Sequence, residues 1–202
     1  KSKIKKKKIL DLFFNLIKND NEIIFSMNKN YRNSFSKKLI LKFKTKNTIN
    51  LIGMGGSSLG AKAIYNFLGN SKKKINFFDN FSNYSFRNYE KKNINLIISK
   101  SGNTLETISN SNILIKGKND CIFLTENKQS YLTDLANKLK AEVVHHNNYI
   151  GGRYSVLSEV GIVPALLLGL NIYKLRSKTL TFLKGMKHVF LKERHVLFVV
   201  LD

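Results

Sequence analysis

The chain has a single cysteine, Cys121, so no internal disulfide can form. That fits a reducing, cytoplasmic setting, and the apolar run Cys121-Ile122-Phe123-Leu124 reads as a buried strand. There is also a single proline, Pro164, and no linker rich in proline, glycine or serine. Pro164 falls in an apolar, helix-like stretch, where it is expected to kink the helix. No apolar run approaches the ~20 residues a membrane helix needs; Val160 to Leu168 is about half that length. No signal-peptide core follows the charged N-terminus. Acidic residues are scarce, 13 against 35 Lys and Arg, which leaves a net charge of +22 and a pI near 10.0. Such a charge ordinarily suggests nucleic acid or an anionic membrane. Here the lysines are scattered among asparagines in every segment, as at Lys72-Lys73-Lys74, Lys91-Lys92 and Lys138, which reads as compositional drift. Only Lys1–Lys8 forms a dense run, and it reads as a solvated end. No specific nucleic-acid partner and no membrane is expected, but the basic field would draw anionic metabolites towards a cleft.

What is present is a globular composition, 43% hydrophobic over 202 residues, enough for one domain with a real core. Ile9–Lys18 reads as an amphipathic helix with Ile9, Leu10, Phe13, Phe14 and Ile17 on one side. From Thr48 a regular alternation begins. Short apolar strands at 48–52, 75–78, 94–98, 121–124 and 142–145 are separated by helical stretches at 58–68, 104–115 and 131–139, the first closed by Gly69. Strand alternating with helix predicts parallel βαβ units: an α/β fold with a doubly wound five-stranded parallel sheet flanked by helices. The expected organisation is an N-terminal helical or irregular segment (1–47), the sheet domain (48–176) and a tail (177–202). Ligands of such sheets bind beyond the carboxyl ends of the strands, so the chemistry is sought there.

The first strand ends in Gly53-Met54-Gly55-Gly56-Ser57-Ser58-Leu59-Gly60. Glycines let backbone approach a ligand, and the free N–H groups at the following helix start favour an anion. The dinucleotide fingerprint would need glycine where Ser58 stands, and the triphosphate loop would need lysine where Ala61 stands. The third strand ends in Ser99-Lys100-Ser101-Gly102-Asn103-Thr104-Leu105-Glu106-Thr107. Three hydroxyls and an ammonium at a helix N-terminus suit a monophosphate dianion. Asn103 and Glu106 also fit a loose capping box, but capping does not account for Ser99, Ser101 and Thr104 together. The third cluster is Gly151-Gly152-Arg153-Tyr154-Ser155, after the fifth strand. An arginine introduced by two glycines can enter a crowded site and stabilise an oxyanion.

In this order and spacing the three clusters resemble the glucose-6-phosphate isomerase family over residues 48–176. Gly53–Gly60 is similar to its first glycine-serine loop. Ser99–Thr107 is similar to its Ser-Lys-[Ser/Thr]-x-x-Thr-x-Glu-Thr phosphate loop, and Gly152-Arg153-Tyr154-Ser155 to its Gly-Gly-Arg-[Tyr/Phe]-Ser signature. The resemblance implies a sugar isomerase domain of flavodoxin-like architecture, the first of two in the family. It implies that Gly56 and Ser57 contact substrate and that Ser99, Lys100 (through its backbone), Ser101 and Thr104 hold its phosphate. Arg153 would stabilise the cis-enediolate between glucose 6-phosphate and fructose 6-phosphate, a step of glycolysis and gluconeogenesis. No metal or redox cofactor is implied, and relatives are usually homodimers.

The family's base is a glutamate in a Glu-Ser-x-Gly-Lys context downstream of the arginine signature, with a ring-opening histidine and a lysine later still. None is found in this chain, and His145 and His146 precede the arginine. After Ser177 the text no longer resembles the family, and Met186–Asp202 reads as unrelated sequence. The expectation is a fragment that binds sugar phosphate without turning it over. Three rival readings remain, one of them a basic nucleic-acid binder, which predicts steeply salt-sensitive DNA binding. A sugar-phosphate-sensing regulatory domain would use the same phosphate loop but has no need of Arg153. A dinucleotide enzyme would use Asp79, after the second strand, on a ribose, and Ser58 counts against it.

Overall fold

The computed structural model describes residues 2–18, 21–68, 72–81, 93–115, 120–177 and 179. Contacts divide the chain into two compact units, Arg32–Ile172 and a second built from Lys1–Tyr31 with Tyr173–Asp202.

The larger unit is built on five parallel strands: β1 (Thr48–Ile52), β2 (Lys74–Phe78), β3 (Asn93–Ile98), β4 (Cys121–Thr125) and β5 (Glu142–His145). Their order is β2-β1-β3-β4-β5. This is the doubly wound order in which the chain reverses direction between β1 and β3, and ligands of such sheets bind at that switch point. The expected strands are all present, and each differs from its expected bounds by at most a residue at an end.

Each strand of the centre is buried on both sides, as a sheet covered by helices on two faces requires. On one face Ile49, Leu51, Leu96, Ile98 and Ile122 pack with helices α3 (Lys37–Lys42), α4 (Gly56–Leu68) and α7 (Glu159–Leu167). On the other, Ile52, Ile97 and Phe123 pack with α5 (Leu105–Leu114) and α6 (Tyr131–Leu139). The helix after β1 and the helix after β3 therefore lie on opposite faces, which opens the crevice between their N-termini. Pro164 does not end α7, which runs on to Leu167. Among the described residues no helix is long and apolar enough to cross a membrane.

A row of asparagines crosses the sheet at one register level. Asn76 Nδ2 donates to Asn50 Oδ1, and Asn50 Nδ2 donates to Asn95 Oδ1, each at 3.0 Å. The strand pairing sets these residues directly opposite one another. A parallel sheet of near-uniform apolar strands has little else to stop a slip along its length, and a one-residue shift would turn each amide towards the opposite face. Cys121 closes the row beside Asn95, and burial pushes its thiol up to about 11, so it stays protonated and inert.

In the smaller unit, helix α1 (Ser2–Lys18) begins earlier than its apolar stripe suggested. Ile9, Leu10, Phe13 and Phe14 are half-buried while Leu12 and Leu16 are exposed, as the periodicity predicts. The short helix α2 (Glu22–Ser26) follows, capped by Asn21. Arg176 is buried there, with its guanidinium 4.9 Å from the Tyr31 ring centroid. The side chain of Ile17, the expected cap Gly69 and the stretch Met186–Asp202 lie outside the described residues.

Candidate functional site

The three clusters follow β1, β3 and β5 of one parallel sheet, so they emerge at the same edge. Two contacts bring them together. The first is backbone on backbone. A Cβ built on Gly56 would stand 2.5 Å from the Gly152 carbonyl carbon and 3.0 Å from the Arg153 nitrogen. Glycine at position 56 is what allows the loop after β1 to lie against the loop bearing Arg153. The second contact runs from the β3 loop. Lys100 Nζ donates to the carbonyl oxygens of Asn148 at 2.8 Å and Ile150 at 3.1 Å, just ahead of Gly151-Gly152-Arg153.

The turn between β1 and α4 is tight. Gly55 has φ +56°, and Ser57 N and Ser58 N donate back to the carbonyls of Met54 and Gly55. Helix α4 consequently begins at Gly56, two residues before the start expected from sequence, and draws the glycine loop into its first turn. Gly56 and Ser57 are half-buried at this turn, while Ser58 is fully buried with its hydroxyl on the Gly55 carbonyl.

In the β3 loop, Ser99 is a buried hub. Its hydroxyl shares a 2.8 Å hydrogen bond with Thr104 Oγ1, lies 3.5 Å from Ser101 Oγ and accepts from the Gly102 N–H at 3.2 Å. Ser101 is exposed and Thr104 half-buried, so the hydroxyls step outward from the buried hub. Thr104 is the N-cap of α5, yet its side chain makes no capping bond. The first N–H groups of α5 thus lack the usual side-chain cap. An anion with several oxygens suits such a surface, because hydroxyls, free N–H groups and the helix dipole act in the same sense.

The capping-box reading of Asn103 and Glu106 is corrected by a long-range contact. Asn103 Oδ1 accepts from Tyr131 N at 2.9 Å and so serves the start of α6, not of α5. Helix α6 carries its own capping box between Ser130 and Thr133. Asp79 is also accounted for: it pairs with Lys62 of α4, packed over the Phe77 ring, which removes it from the part of a free ribose ligand.

Arg153 is exposed at the start of the 3-10 stretch Gly152–Leu157, which is held by the Ser155 hydroxyl donating to the Gly152 carbonyl at 2.6 Å. That stretch is pressed against α7, where a Cβ on Gly161 would meet the Val156 oxygen at 2.0 Å. The arginine thus projects from a backbone fixed on the α4 side by Gly56 and on the α7 side by Gly161.

Sequence reasoning missed an ionic cluster beside the cradle. Glu126, following β4, is 3.4 Å from Lys100 Nζ through Oε1 and 2.6 Å from Lys128 Nζ through Oε2. Burial pushes its carboxyl up, but the hydrogen bonds from Lys128 and Lys100 outweigh burial and hold it below the ordinary value. His146 was noted only as preceding the arginine. It is buried, with Nδ1 on the Asn147 carbonyl at 2.8 Å and Nε2 without a hydrogen-bond partner among the described residues. Burial lowers its pKa below the ordinary 6.5, against smaller raising contributions from Asn147 and Glu159. The unfolded chain therefore takes up the proton first. His146 costs stability as pH falls below 6.5, and none of that cost is felt above it. The urea midpoint is expected to drop between pH 7 and pH 5, and His146→Gln to flatten that drop; parallel pH profiles for the two proteins would refute the assignment.

The structure is a flavodoxin-like α/β domain whose strand edge gathers the three clusters. The phosphoglucose isomerase family model matches residues 33–192, so the resemblance begins before Thr48 and, contrary to the expectation from sequence, does not stop at Ser177 but runs on past Met186. The chain belongs to the phosphoglucose isomerase family. It is 34% identical over 179 residues to glucose-6-phosphate isomerase of Campylobacter jejuni, covering 81% of this chain and 40% of that protein. It is 37% identical over 150 residues to glucose-6-phosphate isomerase of Methanocaldococcus jannaschii, covering 66% of this chain and 37% of that protein. The chain thus spans well under half the length of these curated relatives. Among solved structures, the hypothetical protein TT0462 from Thermus thermophilus superimposes with a TM-score of 0.70 at 19% identity, over 90% of this chain and 48% of that one.

Proposed function

We propose that this chain forms the first sugar isomerase domain of a glucose-6-phosphate isomerase and supplies the phosphate cradle and the oxyanion-stabilising arginine of that reaction. The observation that carries the reading is the joining of the three loops: Gly56 against Gly152-Arg153, and Lys100 on the carbonyls of Asn148 and Ile150. Ser99, Ser101 and Thr104 with the N-terminus of α5 take the phosphate, and Gly56 and Ser57 lie along the sugar. Arg153 faces the oxygen that becomes anionic when a proton leaves C2 of the open-chain aldose. The same cis-enediolate reprotonated at C1 gives the ketose, so the arginine acts on the intermediate common to both directions. The proton itself is carried by a carboxylate base, for which the family uses a glutamate in a context this chain does not contain. A domain that only senses sugar phosphate would need the cradle but not an oxyanion-stabilising arginine.

The chain is therefore expected to bind glucose 6-phosphate without isomerising it. A thermal-shift titration should show stabilisation by glucose 6-phosphate and 6-phosphogluconate and none by NAD. An isomerase assay on the purified chain should show no turnover above background. Stabilisation by NAD alone would return the protein to the dinucleotide-binding class. Turnover near that of a full-length relative would show that a base is present after all.

A further inference from the structure

The Lys100 ammonium sits in the phosphate loop yet is turned away from the hydroxyls. Its three N–H groups have three acceptors: Asn148 O at 2.8 Å, Ile150 O at 3.1 Å and Glu126 Oε1 at 3.4 Å. An ammonium has three protons to donate and no more. The backbone of the same residue is also held, since Lys100 O accepts from Glu126 N at 3.2 Å and from Thr125 Oγ1 at 3.3 Å. Glu126 is largely buried and is neutralised on its other oxygen by Lys128. The two acceptor carbonyls belong to the turn 148–150, directly before Gly151-Gly152-Arg153, and Ile150 is fully buried.

We propose that Lys100 is a positioning residue: its side chain, oriented by Glu126, clamps the 148–150 turn to the phosphate loop and thereby sets where Arg153 stands relative to Ser99, Ser101 and Thr104. The ligand consequence rests on the sugar-phosphate reading above; the clamp itself does not. The loop carrying Arg153 is held towards α4 by Gly56 and towards α7 by Gly161, and the Lys100 bonds hold the turn that leads into it. The clamp lets one residue serve both halves of the site, with its main chain among the phosphate hydroxyls and its side chain under the arginine loop.

The test uses the whole 202-residue chain and two variants, Lys100→Met and Glu126→Gln, the second in case the first does not fold. The first readout needs no ligand. Hydrogen exchange of a peptide spanning residues 148–153 should rise about tenfold in both variants, because the local opening free energy falls. Unchanged exchange in a folded variant overturns the clamp. The second readout is calorimetric, at physiological salt, with two probes. One is glucitol 6-phosphate, which has the phosphate but no oxyanion. The other is 5-phosphoarabinonate, whose carboxylate copies the planar charge of an enediolate. The wild type should prefer the carboxylate, and both variants should lose about tenfold of that preference while holding glucitol 6-phosphate within about twofold. In an Arg153→Met background the Lys100→Met change should cost no further selectivity, since coupled residues are non-additive. Equal loss for both ligands would show that Lys100 acts on the phosphate directly and would overturn the proposal. If the wild type binds neither ligand while exchange still rises in the variants, the sugar-phosphate reading fails and the clamp stands.

Discussion

Replacing Gly102 by alanine is expected to destabilise the chain by about 3–6 kcal/mol and to abolish phosphate binding. Three costs combine. Gly102 has φ +69°, and an alanine forced into the left-handed region costs about 1–2 kcal/mol. The new Cβ would stand 2.1 Å from Ser130 Oγ and 2.5 Å from Ser130 Cβ, so Ser130 must move. Ser130 is the N-cap of α6, with its hydroxyl accepting from Thr133 N, and losing such a cap costs about 1 kcal/mol. Overpacking adds about 1–3 kcal/mol where no relief is available, and the third near neighbour, Thr125 Oγ1 at 3.0 Å, blocks that side. The melting temperature should fall by about 6–24 °C for a chain of this size. The fall in binding has a separate cause. The Gly102 N–H donates to Ser99 Oγ and the Gly102 carbonyl accepts from Leu132 N, so the residue ties the cradle to α6. Thermal unfolding with a parallel phosphate titration would check both; a melting temperature within about 2 °C of wild type would show that the loop relaxes freely.

The same position shows which features were readable from sequence. Alternating apolar runs and helical stretches were enough for the sheet, because burial on both faces leaves strands such as Asn93–Ile98 almost wholly apolar. The hydroxyl cluster was legible because Ser99, Ser101 and Thr104 lie within one turn of chain. The capping of α5 was misread because Asn103 has two possible uses, and the choice is made by Tyr131, 28 residues away. The Lys100 clamp was invisible for the same reason, since its acceptors are 48 and 50 residues downstream. Asp79 looked available until Lys62, on the preceding helix, was placed over it. Local patterning thus reveals which groups are present at the strand edge, and only the strand order β2-β1-β3-β4-β5 decides which of them meet.

Ser99→Ala should weaken binding of glucose 6-phosphate more than Ser101→Ala, although Ser101 is the more exposed and the easier for a ligand to reach. Burial of Ser99 means that its hydroxyl has no water to fall back on. It organises Thr104 at 2.8 Å, accepts from Gly102 N at 3.2 Å and lies 3.5 Å from Ser101 Oγ. Its removal takes away one contact to the anion and releases the two neighbours that supply others. A hydrogen bond to a charged group contributes about 1.5–3 kcal/mol, so losing one costs about 10- to 100-fold in affinity and losing the organised set costs more. Ser101→Ala removes one such bond and the 3.2 Å tie to Asn103 N, and it leaves the Ser99–Thr104 pair in place. The expected order of affinities is wild type, then Ser101→Ala about tenfold weaker, then Ser99→Ala at least about 100-fold weaker. Calorimetric titration with glucose 6-phosphate, alongside a melt to confirm that Ser99→Ala remains folded, measures it. The reverse order would mean that the anion sits on the exposed rim of the loop and that Ser99 is only a structural part of the β3 turn. The predicted order would place the phosphate against the buried hub, under the free N–H groups of α5, where one buried hydroxyl holds the other two in place.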